Sequence, residues 1–261
     1  MTSAIENDLW FRRFPSAAQG ASHRLICFPH AGGAASSYAQ LARALSPAVE
    51  VVAVQYPGRQ DRRGEPRLEN VQVLARAVVT ALGDPPSVPP YALFGHSMGA
   101  IVAYEVARLL AARPGNGAGA RGPARLFASG SDAPQARRDG TVHRRDDAGV
   151  VAELRRLSGT DSFLLGDPEL LAMALPAIRS DYTAIETYRW APGPPLSCPI
   201  TVLTGDTDPQ TTPSGTRAWE TCTSAGCDAQ AFEGDHFFLD PHVTGVARLI
   251  RASLGVAGGP A

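Results

Sequence analysis

Six short apolar runs, at 25–28, 49–55, 91–94, 125–129, 200–204 and 229–232, read as strands, and most are separated by stretches with helical spacing of apolar residues. That alternation leaves few architectures open. Strands joined by crossover helices pair mostly in parallel, and such a sheet needs helices on both faces. Helical patterns fall at about 37–45, 68–82 and 100–112. A length of 261 residues suits a single α/β domain, 1–261, with a substantial core. Two segments break the rhythm. Residues 114–123 (PGNGAGARGP) read as a Gly/Pro-rich surface connection. Residues 133–196 are too long for one crossover and carry helical patterns near 148–157 and 169–189, which marks an insertion. The tail 255–261 reads as disordered.

Within this frame, Gly95-His96-Ser97-Met98-Gly99 carries the sharpest chemical signal. In a chain with 26 Gly, the bare pattern G-x-S-x-G arises by chance roughly one time in six, so the pattern alone is weak. Its setting strengthens it. Tyr91 to Phe94 precede it as a buried-strand run, and a Pro- and Gly-free apolar stretch from Ala100 follows as a helix. A serine on a sharp strand-to-helix turn is a nucleophile elbow. Side chains at 95 or 99 would collide where the strand doubles back. The turn also leaves the Met98 N–H at a helix N-terminus, where negative charge is favoured.

A serine hydroxyl needs a base. In an elbow fold an acid follows a late strand and a histidine follows the last one. His236, in Gly234-Asp235-His236-Phe237-Phe238, sits after the final run; His242 falls in the expected C-terminal helix, and His96 reads as a packed neighbour of the elbow. The acid belongs in Gly205-Asp206-Thr207-Asp208-Pro209, where position alone leaves Asp206 and Asp208 open. A second oxyanion donor is expected from Phe28-Pro29-His30-Ala31-Gly32-Gly33, with the Ala31 N–H paired to that of Met98.

Composition excludes several classes. A formal net charge of -1 argues against a general nucleic-acid binder. No apolar run approaches the ~20 residues of a membrane span, and a cytoplasmic protein is expected. Cys27, Cys198, Cys222 and Cys227 have no metal-ligand spacing and read as reduced structural thiols. The absence of Lys, with abundant Ala, Gly, Pro and Arg, reflects GC-rich coding more than chemistry. No cofactor or metal is expected.

The motifs CFPHAGGAASSY, QYPGRQDRRGEP, LFGHSMGA, LLAMALPAIRSDYTAIETYRW, TGDTDP and FEGDHFFL together resemble the stand-alone, type II thioesterases of polyketide and nonribosomal peptide pathways, in the family's order over roughly 11–252. The resemblance implies an α/β-hydrolase fold with a helical lid in 133–196. It also implies a triad of Ser97, Asp208 and His236, the family's acid falling on the second Asp of G-D-x-D. Ser180 stands where an Ala is more usual. The implied activity is hydrolysis of acyl groups from the phosphopantetheine arm of acyl or peptidyl carrier proteins, through an acyl-enzyme. A medium-chain acyl thioesterase, a small-molecule esterase or a product-releasing thioesterase would use the same triad, and an idle interaction module would not need it. The arginine groups Arg59/Arg62/Arg63/Arg67, Arg144/Arg145 and Arg155/Arg156 read first as solvated surface. Carrier proteins are usually acidic, so part of this charge is expected to guide docking near the lid.

Overall fold

The computed structural model describes residues 9–15, 20–83, 89–113, 122–137, 139–158 and 167–256. Most of the 114–123 connection and of the 255–261 tail therefore lies outside the described residues. Seven strands form one sheet in the order β1-β3-β2-β4-β5-β6-β7. They are β1 (Phe11–Arg13), β2 (His23–Phe28), β3 (Val49–Val54), β4 (Tyr91–His96), β5 (Leu126–Ser129), β6 (Ile200–Gly205) and β7 (Cys227–Phe232). All neighbours pair in parallel except β1, which runs antiparallel to β3 with Phe11 opposite Val54. The sequence pattern does not reveal β1. Three residues are too few for a periodic signal, and Phe11 is held by burial against the core instead.

Helices are α1 (Ala39–Leu45), α2 (Val71–Leu82), α3 (Met98–Ala111), α4 (Asp147–Ser158), α5 (Pro168–Glu186), α6 (Pro213–Arg217) and α7 (Val243–Ser253). Side-chain caps start α2, α5 and α6, the last through Thr212 and the Gly215 N–H. Asn70 accepts the Val73 N–H before α2, and Asp167 accepts from Glu169 and Leu170 before Pro168 opens α5.

The period-two alternation of strand side chains divides the core into two layers. Ile26, Phe28, Val52, Val54 and Leu93 face one way and pack with α2 and α3. Leu25, Cys27, Val51, Ala53 and Phe94 face the other and pack with α1 and α7. Both faces of the central strands are thus buried, which explains why those strands read as continuous apolar runs. Helices α4 and α5 lie in the insertion between β5 and β6 and share a small cluster of their own, Val142, Val150, Ile178 and Tyr182. Among the described residues no helix is long and apolar enough to cross a membrane.

The register brings the C-terminal ends of the central strands level, with Phe28 opposite Gly95 and His96 opposite Ser129. Loops leaving those ends converge, as is usual at the carboxyl edge of an open α/β sheet. Leu93, fully buried at the centre of β4, tests the two-layer core. Leu93→Ala is expected to lower unfolding free energy by about 2–5 kcal/mol in urea titrations, with an unchanged m value.

Candidate active site

The elbow is built from a backbone crossing. A Cβ at Gly95 would sit 2.1 Å from the Gly99 carbonyl oxygen, and one at Gly99 would sit 2.0 Å from that of Phe28. Only hydrogen fits at either place. Ser97 between them has φ 56° and ψ −120°, a backbone region that non-glycine residues rarely occupy. Its N–H donates to the Ser129 carbonyl at 2.8 Å and its own carbonyl accepts from Ala100, which pin the strained residue on both sides. Met98 opens α3, so its N–H belongs to the first helical turn and lacks an intrahelical acceptor.

The other side chains named from the sequence arrive from separate loops. His236 lies after β7 and is 1% exposed; its Nδ1 donates to Asp208 Oδ2 at 2.9 Å. Asp208 is also buried, and its Oδ1 accepts the Gln210 N–H. Asp206 is exposed and is spent on a turn, accepting the Gly234 N–H at 2.9 Å. With Nδ1 bonded to the carboxylate, the tautomer leaves Nε2 free to accept a proton. Ser97, Met98, Ala31 and His236 line one cavity of about 450 Å³. A larger cavity of about 890 Å³ lies across His30 and Phe237 and is not lined by Ser97. The smaller one therefore brings together these residues named from the sequence.

Three imidazoles crowd this edge. The His96 ring centroid lies 4.9 Å from that of His236 and 6.0 Å from that of His30. His96 is buried, with Nδ1 at 2.9 Å from the Ser129 hydroxyl. Burial, reinforced by His236 and His30, holds its pKa well below the ordinary value. Burial, then His236 and Arg59, lowers His30 to about 4. Both stay neutral near pH 7. His242 stands at the start of α7 with Nε2 at 2.7 Å from the Glu233 carbonyl and does not line the Ser97 cavity.

The loop after β2 is held by a pair that one-dimensional charge patterning misreads. Arg59 is buried, not solvated, and its Nη1 and Nη2 donate to Asp181 at 2.7 and 2.8 Å. The same Asp181 accepts the Gly32 N–H at 2.7 Å, while Arg59 also donates to the Gly33 carbonyl. The Gly33 N–H closes a turn onto His30, and the Ala31 N–H is left without an acceptor among the described residues. Asp181 lies on α5, 122 residues from Arg59, so no local motif announces the pairing. Arg62 is equally buried, bonded to Glu65 and the Gln55 carbonyl with its guanidinium over Trp10. On α4, Arg155 and Arg156 are both exposed, and Arg156 pairs with buried Glu153. The surface reading of these clusters therefore fails for Arg59 and Arg62.

Two expectations follow. Asp181→Asn leaves Arg59 charged and unpaired, so it is expected to cost about 3–5 kcal/mol of stability in urea titrations and to lower kcat more than it raises KM. Unchanged stability and kinetics would remove the pair from any role at the site. The second concerns acid. Unfolded imidazoles bind protons below about pH 6.5, whereas folded His30 refuses them until about pH 4. Stability is thus full above pH 6.5 and declines as pH falls toward 4. His30→Gln is expected to flatten that decline, measured as urea midpoints across pH 4–7.

Comparison with known proteins places this geometry in context. The thioesterase domain family matches residues 23–254. Thioesterase PikA5 of Streptomyces venezuelae is 46% identical over 236 residues, covering 90% of this chain and 82% of that protein. A probable cadicidin biosynthesis thioesterase of Streptomyces griseus is also 46% identical, covering 94% of this chain and 66% of that protein. The type II thioesterase BorB from the borrelidin biosynthetic cluster superposes with a TM-score of 0.87 at 46% identity, covering 95% of this chain and 98% of BorB.

Proposed function

The chain belongs to the thioesterase family and is a serine hydrolase acting on thioesters, and from that premise we propose that it removes stalled or aberrant acyl groups from the phosphopantetheine arm of acyl or peptidyl carrier proteins in polyketide or nonribosomal peptide assembly. The observation that carries the mechanism is the buried His236–Asp208 contact of 2.9 Å in the wall of the cavity that Ser97 also lines. His236 takes the Ser97 proton as the hydroxyl oxygen attacks the thioester carbonyl. The Ala31 and Met98 N–H groups receive the negative charge that develops on the carbonyl oxygen. Collapse breaks the C–S bond and releases the carrier's thiol, protonated by His236. A thiol of pKa near ~8.5 leaves readily, so little is asked of the imidazolium as an acid. Water, deprotonated by His236, then attacks the acyl-Ser97 ester and frees the carboxylic acid.

Helices α4 and α5 act in this reading as a lid over the cavity, with Leu154, Leu157, Tyr182 and Ile185 in its wall. The Asp181 carboxylate would hold the lid and the loop of Ala31 together. The partner is an acidic carrier protein, met by exposed arginines of α4 such as Arg155, and the setting is the cytoplasm. The editing role is supported by the likeness to BorB, described as a type II thioesterase of a biosynthetic cluster.

Intact-mass measurement of acyl-loaded carrier proteins tests the proposal. Rapid loss of acetyl and other short acyl groups, with long native intermediates spared, is the expected result. Turnover of free oxygen esters alone would overturn it. Ser97→Ala is expected to lower the rate by ~10³-fold or more, and full activity in that variant would refute the mechanism.

A further inference from the structure

Arg137 stands apart from the other charged residues of the Ser97 cavity. It follows the short turn of helix at Pro134–Ala136 after β5 and lines the same 450 Å³ space as Ser97 and His236. The other charges in that wall have partners. Glu153 receives Arg156 and Arg145, Glu186 receives His143 and two backbone N–H groups, and Asp139 faces Arg189. Among the described residues Arg137 has no hydrogen bond and no carboxylate within ion-pair distance. Asp132 and Glu186 act on it only from farther out, and Asp132 is already held by the N–H and hydroxyl of Thr212.

The comparison with Arg59 is instructive. Burial opposes the charge of both, but the two bonds from Asp181 outweigh it at Arg59 and raise that pKa above the ordinary value. At Arg137 burial wins and the pKa is lowered. Arg137 is half-buried in the cavity wall, without a counter-ion among the described residues, and its planar fork of donors matches a carboxylate or phosphate. The Ser97 chemistry has no use for a fixed cation, since backbone N–H groups take up the oxyanion and the sulfur leaves as a thiol.

We infer that Arg137 is the anion-binding residue of this cavity, receiving an anionic oxygen group on the thioester substrate, either a carboxylate on the acyl unit or the phosphate of the arm. The inference rests on the reading that the Ser97 cavity holds the thioester. It makes charge on the substrate, beyond chain length, a determinant of which thioesters are accepted.

Two ligand pairs separate the sources. Non-hydrolysable succinyl and butyryl amides of cysteamine differ by an acyl carboxylate, and phosphopantetheine and pantetheine differ by the phosphate. Calorimetric Kd values are measured for the unaltered protein and for Arg137→Gln. The expected result is that the anionic member of one pair binds more tightly to the unaltered protein, and that this preference falls at least about tenfold in Arg137→Gln. The pair that responds names the source. Arg137→Lys, which keeps the charge but not the fork, is expected to retain part of the preference. In the unaltered protein the preference is also expected to shrink as NaCl is raised. Absence of a preference in both pairs, or a preference untouched by Arg137→Gln, overturns the inference. Because these readouts are affinities, they stand apart from turnover of the corresponding thioesters. A charge-dependent Kd with no thioester hydrolysis would leave Arg137 in place and count against the thioesterase mechanism.

Discussion

The contact on which the rest of this structure depends is between backbones at Gly95 and Gly99. At these points the end of β4, the first turn of α3 and the end of β2 approach within a distance that admits no Cβ. That approach holds Ser97 at a positive φ and lifts its side chain off the sheet edge. It also brings the carbonyl of Phe28, and with it the loop of His30 to Gly33, against the start of α3. A candidate nucleophile and two candidate oxyanion donors are thereby set by main-chain geometry, whose cost is met by the buried central strands behind it.

Around that frame the electrostatics are arranged by burial. His30 and His96 stand beside His236 yet are kept neutral, and of these three imidazoles it is His236 that is bonded to a carboxylate. Aromatic edges complete the enclosure. Phe237 lies 5.0 Å from the His30 ring and 5.2 Å from His236, and Phe238 stacks on Phe232 beneath the loop. The Arg59–Asp181 pair does the corresponding work on the other side. It neutralises a charge that burial would otherwise penalise, and it bonds helix α5 to Gly32 and Gly33 in one network.

Much of the fold is legible in the chain because five of the strands are buried on both faces or nearly so, and burial writes itself as apolar runs. β7 is largely exposed at the sheet edge, and its run at 229–232 misses its first two residues. β1 leaves no pattern, being three residues long and specified by Phe11 packing and by pairing with β3. The insertion at 133–196 is legible as an interruption, but the place of α5 over the β2 loop depends on Asp181 and Ile178, whose partners are distant in sequence. Spacing leaves Asp206 and Asp208 equal candidates. In space they differ, one buried against an imidazole and the other turned to a backbone N–H at the surface.

By itself the sequence determined the α/β alternation, the elbow around Ser97, and the chain order of serine, acid and histidine, because each is written in local pattern and small residues. Only the tertiary structure decided which charges are free and which are bound. Arg59, Arg62, Arg137 and Arg155 look alike along the chain. In the fold one is clamped by a carboxylate, one is packed over an indole, one faces the Ser97 cavity with no ion-pair partner among the described residues, and one meets solvent. The reason is physical. A side chain's charge state and use depend on its distance to partners and to water, and those distances are set by the fold, for Arg59 by a contact 122 residues away.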